Sequence, residues 1–229
     1  MELVDTYVGK MWVHKNNYVS NAIKRGEYEK QPLHILSQYL QPGMVGLDVG
    51  ANVGLYSVFA AQKIGNGIVY AFEPYPELYS ILAKNAELYK NIHPFNFGLW
   101  NKEKVFEWYG EKFNVVVGDE LLQDVEKVDF IKIDVDGAEV GVLEGLQNLI
   151  KRSPKLLMIC EFGVKYLIRF GFNGEDFFNL VEKLKLDYGM IAAGGIYFKN
   201  NKDKLIETYL KSHCNLLLWK GIKPFWKEK

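Results

Sequence analysis

The chain has 229 residues, and its 28 basic and 28 acidic side chains cancel to a net charge of zero; a length of this order suits one domain with one substantial core. Neutrality leaves no broad basic surface of the kind that neutralises nucleic-acid phosphates, so nucleic acid is a poor default partner. Cys160 and Cys214 are too few for a four-ligand zinc site and fit a reducing compartment, while no window approaches the ~20 apolar residues that span a bilayer.

Residues 1–43 read as an N-terminal cap. Charges break its first apolar positions, so no signal-peptide core is present, and a soluble, cytoplasmic protein with no membrane partner is expected. Pro32 to Leu40 is the clearest helix of this cap, and Gly43 ends the pattern. From Met44 onward, short apolar β-type runs alternate with helical spacing, the signature of an α/β fold with a mostly parallel sheet and helices on both faces. Seven strands are expected, at Val45–Val49, Ile68–Phe72, Pro94–Gly98, Asp129–Asp134, Leu156–Glu161, Tyr188–Ala192 and Asn215–Trp219. Helical spacing covers Leu55–Ile64, Pro76–Tyr89, Ala138–Ile150 and Glu175–Leu186. The basic, aromatic stretch over residues 220–229 reads as a solvated tail.

Ligands of an open parallel sheet bind beyond the carboxyl ends of its strands, where helix N-termini present backbone N–H groups. The stretch GLDVGANVGLY, Gly46 to Tyr56, is such a corner. Gly50 and Gly54 let the backbone approach a ligand closely, with Asn52 between them, but the spacing is not the GxGxxG of a dinucleotide site. Asp48 would repel a pyrophosphate, so the ligand is cationic or zwitterionic at that end, as a sulfonium amino acid is. Glu73 ends the second strand and suits a ribose diol, and Pro74 and Tyr75 continue the binding segment. Asp48 and Glu73 together describe S-adenosylmethionine. The plainer alternatives are that Asp48 satisfies the N-terminus of the next helix and that Glu73 sits in an ordinary turn.

The sequence at these positions resembles the FkbM-type family of S-adenosylmethionine-dependent methyltransferases. The resemblance rests on GEYEKQ (Gly26 to Gln31), QPGMVGLDVGANVGLYS (Gln41 to Ser57), VYAFEPYPELYSILAKNAEL (Val69 to Leu88), VDFIKIDVDGAEVGVLEG (Val128 to Gly145) and CEF (Cys160 to Phe162). It implies a Rossmann-like class I methyltransferase fold, seven-stranded with an antiparallel last strand, and methyl transfer usually to a hydroxyl oxygen. It makes Asp48, Gly50, Asn52 and Gly54 the cofactor loop and Glu73 the ribose acid, and it places Glu29 where the cap closes over the cofactor. The chain departs from the family at Asp136, where a glutamate is frequent, and at Gly118-Asp119, where a Leu-Asp pair is frequent.

On the acceptor side, Asp134 ends the fourth strand beside Asp136 and Glu139, and Glu161 ends the fifth. An alcohol acceptor must lose a proton, and Asp134, Glu139 and Glu161 are the catalytic candidates, with Asp134 also assigned to the cofactor. Glu139 has the alternative role of first-turn dipole partner. A divalent metal acidifying the hydroxyl is the less favoured route, because Glu161-Phe162 lacks the paired oxygen ligands of metal-dependent relatives. Lys132, within a covered strand, is expected to pair with a carboxylate. Phe162, Tyr166 and Arg169 are the expected acceptor contacts, Phe177 and Phe178 core residues, and His213 a structural histidine. The reading is O-methylation of a small molecule or sugar; methylation of a glycan, protein or RNA, and a non-catalytic nucleoside-binding scaffold, are the alternatives.

Overall fold

The computed structural model describes residues 1–108, 110–223 and 225–226. The chain divides into two compact units, one of residues 1–98 with 105–114 and one of residues 99–104 with 115–229.

The first unit opens with a hairpin, β1 (Glu2–Thr6) against β2 (Gly9–Val13), closed by the two residues between Thr6 and Gly9. Helix α1 (Tyr18–Lys24) follows; the Asn17 side chain accepts from Ser20 N at 2.7 Å and satisfies one of its open amides. Then come α2 (Lys30–Tyr39), β3 (Val45–Val49), α3 (Leu55–Ile64), β4 (Ile68–Phe72), α4 (Pro76–Leu88) and β5 (Ile92–Phe95). Strands β3, β4 and β5 run parallel and in that order, with Asp48 opposite Ala71. Leu47, Val49, Val69, Ala71 and Phe72 are buried, as runs covered on both faces must be.

One residue ties this unit together. Asn85 on α4 is fully buried: its Oδ1 accepts from Trp12 N at 2.7 Å, and its Nδ2 donates to Trp12 O at 2.9 Å and Val53 O at 2.7 Å. Its amide thus joins the hairpin to the turn after β3, and every buried polar atom it carries is paired.

Strands β6 (Gly98–Trp100), β7 (Lys104–Trp108) and β8 (Glu111–Val117) occupy the stretch in which the chain passes between units and back. The expected strand Pro94–Gly98 is therefore two short ones, β5 and β6. The second unit continues with α5 (Gly118–Leu121), β9 (Phe130–Ile133), α6 (Glu139–Gly145), α7 (Gln147–Arg152), β10 (Leu156–Phe162), α8 (Val164–Leu167), α9 (Gly174–Lys183), β11 (Asp187–Ala192), β12 (Gly195–Tyr197), α10 (Lys202–Thr208) and β13 (Cys214–Lys220). Strand β10 pairs parallel with β9 and antiparallel with β13; β13 pairs antiparallel with β11, and β11 with β12. The antiparallel last strand is as expected, and among the described residues the large sheet has eight strands instead of seven because β12 extends its edge.

The single helix expected over Ala138–Ile150 is broken at Leu146, whose φ of −115° leaves the helical range. Asp119 is the reason the break is stable: its carboxylate accepts from Asn148 N and Leu149 N, both at 2.8 Å, so the opening amides of α7 are satisfied. The tail also differs from expectation. Trp226 packs edge-on against Trp219 at 4.9 Å between ring centroids, so this part of residues 220–229 is held down; residues 224 and 227–229 lie outside the described residues. Among the described residues no helix is long and apolar enough to cross a membrane.

Candidate functional site

In the first unit the turn from β3 to α3 is built from left-handed residues: φ is 79° at Gly50, 52° at Asn52 and 90° at Gly54. Gly50 N and Ala51 N both donate to Phe72 O at 2.9 Å, which anchors the turn to the end of β4. At Gly54 an added Cβ would also come within 2.8 Å of Leu82 Cδ1. Gly54→Ala is expected to destabilise the fold by about 1–2 kcal/mol, the cost of a left-handed alanine; an unchanged urea midpoint would show that the turn relaxes.

Glu73 is 3% exposed and its carboxylate is pinned by the backbone: Oε2 accepts from Asn52 N at 2.7 Å and Oε1 from Tyr75 N at 2.9 Å. Asp48 is also buried, and its Oδ2 accepts from Ser57 N at 2.9 Å and Ser57 Oγ at 2.6 Å. That is the helix-holding role weighed for it above, and it locks the first turn of α3 to the end of β3. Pro74 and Tyr75 lead into α4, and the Tyr75 ring lies 5.4 Å from Phe113. Glu29 adopts a left-handed φ of 55° and accepts from Tyr56 Oη on α3.

In the second unit the carboxylates gather at the ends of β9 and β10. Lys132, fully covered in β9, has its Nζ 3.3 Å from Asp134 Oδ2 and donates to Asn215 Oδ1 at 2.9 Å, the expected structural pair. Glu139, 1% exposed, accepts through Oε1 from Val135 N and Gly137 N, each at 3.2 Å. Burial pushes its pKa up to about 7 against the opposing pull of those amides. Its Oε1 is committed to the turn, so Glu139 shapes the segment that carries Asp136. Asp136 sits at a left-handed φ of 52°, and burial, then the Asp134 charge, raises its pKa.

Glu161 ends β10 with a side chain 14% exposed. Burial first, then the Asp134 and Glu139 carboxylates, push its pKa up to about 9. Its Oε1 lies 3.6 Å from His213 Nε2, and His213 Nδ1 lies 3.2 Å from Tyr166 Oη. Tyr166 is flanked by the Arg169 guanidinium, 4.8 Å from the ring centroid, and by Lys165 Nζ at 4.6 Å. Phe162 does not join them. Side chains alternate along a strand, and opposite Glu161 it is fully buried at about 5 Å from both Phe177 and Phe178, so the expected acceptor contact is a core residue. His213, read as structural, lies beside Glu161 and Tyr166. Lone histidines carry no spacing signal; only the register that sets Phe162 opposite Cys214 brings it there. Among the described residues no group of three or more His, Cys, Asp or Glu side chains is placed to hold a metal ion.

The family profile described as "Methyltransferase FkbM domain" matches residues 48–190. Hexuronic acid methyltransferase AglP of Haloferax volcanii is 26% identical, over 59% of this chain and 64% of that protein. Methyltransferase sdnD of Sordaria araneosa is 26% identical, over 44% of this chain and 60% of that protein. The chain thus spans less than two thirds of either relative. Among solved structures, a precorrin-6y C5,15-methyltransferase from Geobacter metallireducens superposes with a TM-score of 0.52 at 13% identity, covering 91% of this chain and 92% of that one. A putative rRNA methylase from Clostridium thermocellum gives 0.53 at 10% identity, covering 84% and 94%. At such identity these two speak to the fold, which is that of class I methyltransferases.

Proposed function

Since this chain belongs to the FkbM methyltransferase family, we propose that it moves the methyl group of S-adenosylmethionine onto a hydroxyl oxygen of a small molecule, with a sugar acid as the first acceptor class to test. The observation that carries the cofactor half is the Glu73 carboxylate, buried and aimed by the Asn52 and Tyr75 amides. A buried carboxylate at the end of β4 fits a ribose diol, and Gly50 and Gly54, both at left-handed φ, carry no side chain beside the turn. Asp48 serves by fixing the first turn of α3 to the strand end.

Bound S-adenosylmethionine supplies a methyl carbon on a cationic sulfur. The protein's own tasks are then to align the acceptor, exclude water and receive one proton. Of the carboxylates, Asp134 is paired with Lys132 and Glu139 holds a turn, while burial keeps Glu161 protonated up to about pH 9, so it takes up the acceptor's proton only above that value. The hydroxyl of a sugar acid is supported by the hexuronic acid methyltransferase among the relatives, and Arg169, beside Tyr166, supplies a cation for its carboxylate.

Calorimetric titration of S-adenosylmethionine tests the reading, with chelator and with magnesium. Micromolar binding unaffected by chelator is expected, followed by methylation of D-glucuronate as the probe acceptor. No binding in either condition would remove the methyltransferase reading; binding without turnover on any hydroxyl acceptor would favour the nucleoside-binding scaffold.

A further inference from the structure

Within the first unit, the turn of the β1–β2 hairpin, helix α2 and helix α3 line a cleft of about 270 Å³. Helix α2 contributes Lys30, Leu33 and His34, which share one face because they lie three and four residues apart, and α3 contributes Phe59 and Lys63, four apart. Tyr7 closes the cleft from the hairpin turn.

Its walls are tied to one another. Gln62 on α3 donates to Val8 O in the hairpin turn, Tyr7 Oη donates to Tyr28 O just ahead of α2, and Tyr56 Oη on α3 donates to Glu29 at the start of α2. Burial, then the Glu29 charge, pushes the Tyr7 phenol up to about 12, so it stays the donor of its bond at neutral pH. A cleft fixed before its ligand arrives loses little freedom on binding.

The lining sets cations around an apolar floor. Leu33 is 3% exposed and Phe59 is half-buried, while Lys30 and Lys63 reach solvent. Lys63 Nζ lies 5.1 Å from the Phe59 ring centroid, which keeps one ammonium close to that floor. Among the described residues neither lysine is paired with a carboxylate, whereas Lys24 and Arg25 of the same unit are, with Glu2 at 2.9 Å and Glu27 at 2.7 Å. His34 has its Nε2 against the Gln38 amide nitrogen at 3.1 Å, and the lysines supply the fixed charge.

We propose that this cleft binds a small aromatic carboxylate, its ring against Leu33, Phe59 and Tyr7 and its carboxylate on the Lys30 and Lys63 ammonium groups. The size selects a molecule of one or two rings, since drug-sized ligands occupy roughly 300–1,000 Å³. Unpaired cations call for an anion, and the apolar floor calls for one with a flat, poorly hydrated body. A carboxylate on a ring is therefore favoured over inorganic phosphate, which would leave Leu33 and Phe59 wet. The site does not depend on the methyl-transfer reading, because none of its lining residues is assigned to the cofactor or the acceptor.

The test titrates 2-naphthoate into the full chain and follows the Leu33 methyl signals, identified by their loss in Leu33→Met. Those signals should shift with a Kd of about 1 mM or tighter. Three comparisons separate the contributions: 2-naphthamide has the ring without the charge, and acetate and inorganic phosphate have the charge without the ring. Each should bind weaker than 2-naphthoate by about tenfold or more. Lys30→Gln and Lys63→Gln should each weaken 2-naphthoate about threefold, and together about tenfold, with thermal unfolding midpoints within about 2 °C of wild type. Phe59→Leu, which keeps an apolar floor without the ring, should also weaken it about threefold. Absence of binding would overturn the proposal, as would 2-naphthamide binding as tightly as 2-naphthoate or undiminished binding in the double lysine variant. Phosphate binding tighter than 2-naphthoate would overturn the aromatic class.

Discussion

Between pH 4.5 and 7 the protein is expected to lose about 3 kcal/mol of folding stability through Glu139 alone, and Glu139→Gln is expected to abolish that loss. The folded chain holds the Glu139 proton up to a pKa of about 7, against 4.5 for an ordinary glutamate. At about 1.4 kcal/mol per pH unit, that interval sets the size of the effect. The sign follows from proton binding: through this range the folded state carries more protons than the unfolded one, so raising the pH favours unfolding. The contribution is complete below pH 4.5, declines as pH climbs to 7 and is flat above. Glu161, with its pKa pushed up to about 9, continues the decline beyond that point. Urea unfolding at intervals from pH 4 to 8 measures it, because the amide introduced by Glu139→Gln keeps an oxygen for the Val135 and Gly137 N–H groups while removing the charge. A wild-type-to-variant difference that stays constant across the range would show that Glu139 is ionised throughout.

Glu73→Ala is expected to weaken S-adenosylmethionine binding by 100-fold or more. Two hydrogen bonds from a diol to a charged carboxylate are worth about 1.5–3 kcal/mol each. The substitution does a second thing: it strips the Asn52 and Tyr75 amides of their acceptor, and the turn loosens. Glu73→Gln separates the two effects, since it retains an oxygen for one amide and one hydroxyl and should fall between alanine and wild type. Calorimetry gives the affinities, and thermal unfolding of the same samples shows how much of the loss is folding. Equal affinity in wild type and Glu73→Ala would take Glu73 out of the cofactor site.

The turn after β3 was legible in its backbone because its signals are local. Strand β3, strand β4 and helix α3 fall on the expected residues, and Gly50, Asn52 and Gly54 have the left-handed angles that their small or amide side chains announce. What escaped depended on partners distant in sequence. Asn85 looks like one more polar residue on an amphipathic helix until Trp12 and Val53 meet it. The break between α6 and α7 depends on Asp119, nearly thirty positions away. The β1–β2 hairpin carries a weak strand signal, since Glu2 to Val13 alternates its apolar side chains only loosely. On the acceptor side Phe162 and Glu161 are neighbours in the chain with opposite fates, and telling them apart requires knowing which face of β10 the aromatic core of α9 covers.

The placement of β13 between β10 and β11 has a consequence for how the protein is made. Both neighbours leave the ribosome before residues 214–220 do, so a nascent chain that has already finished the turn after β3 still presents the bare backbone of β10, and with it a row of hydrophobic side chains, until the intervening strand arrives. The glycine corner can thus take shape during synthesis, whereas the meeting of Glu161 with His213 must wait for the last strand to thread into place.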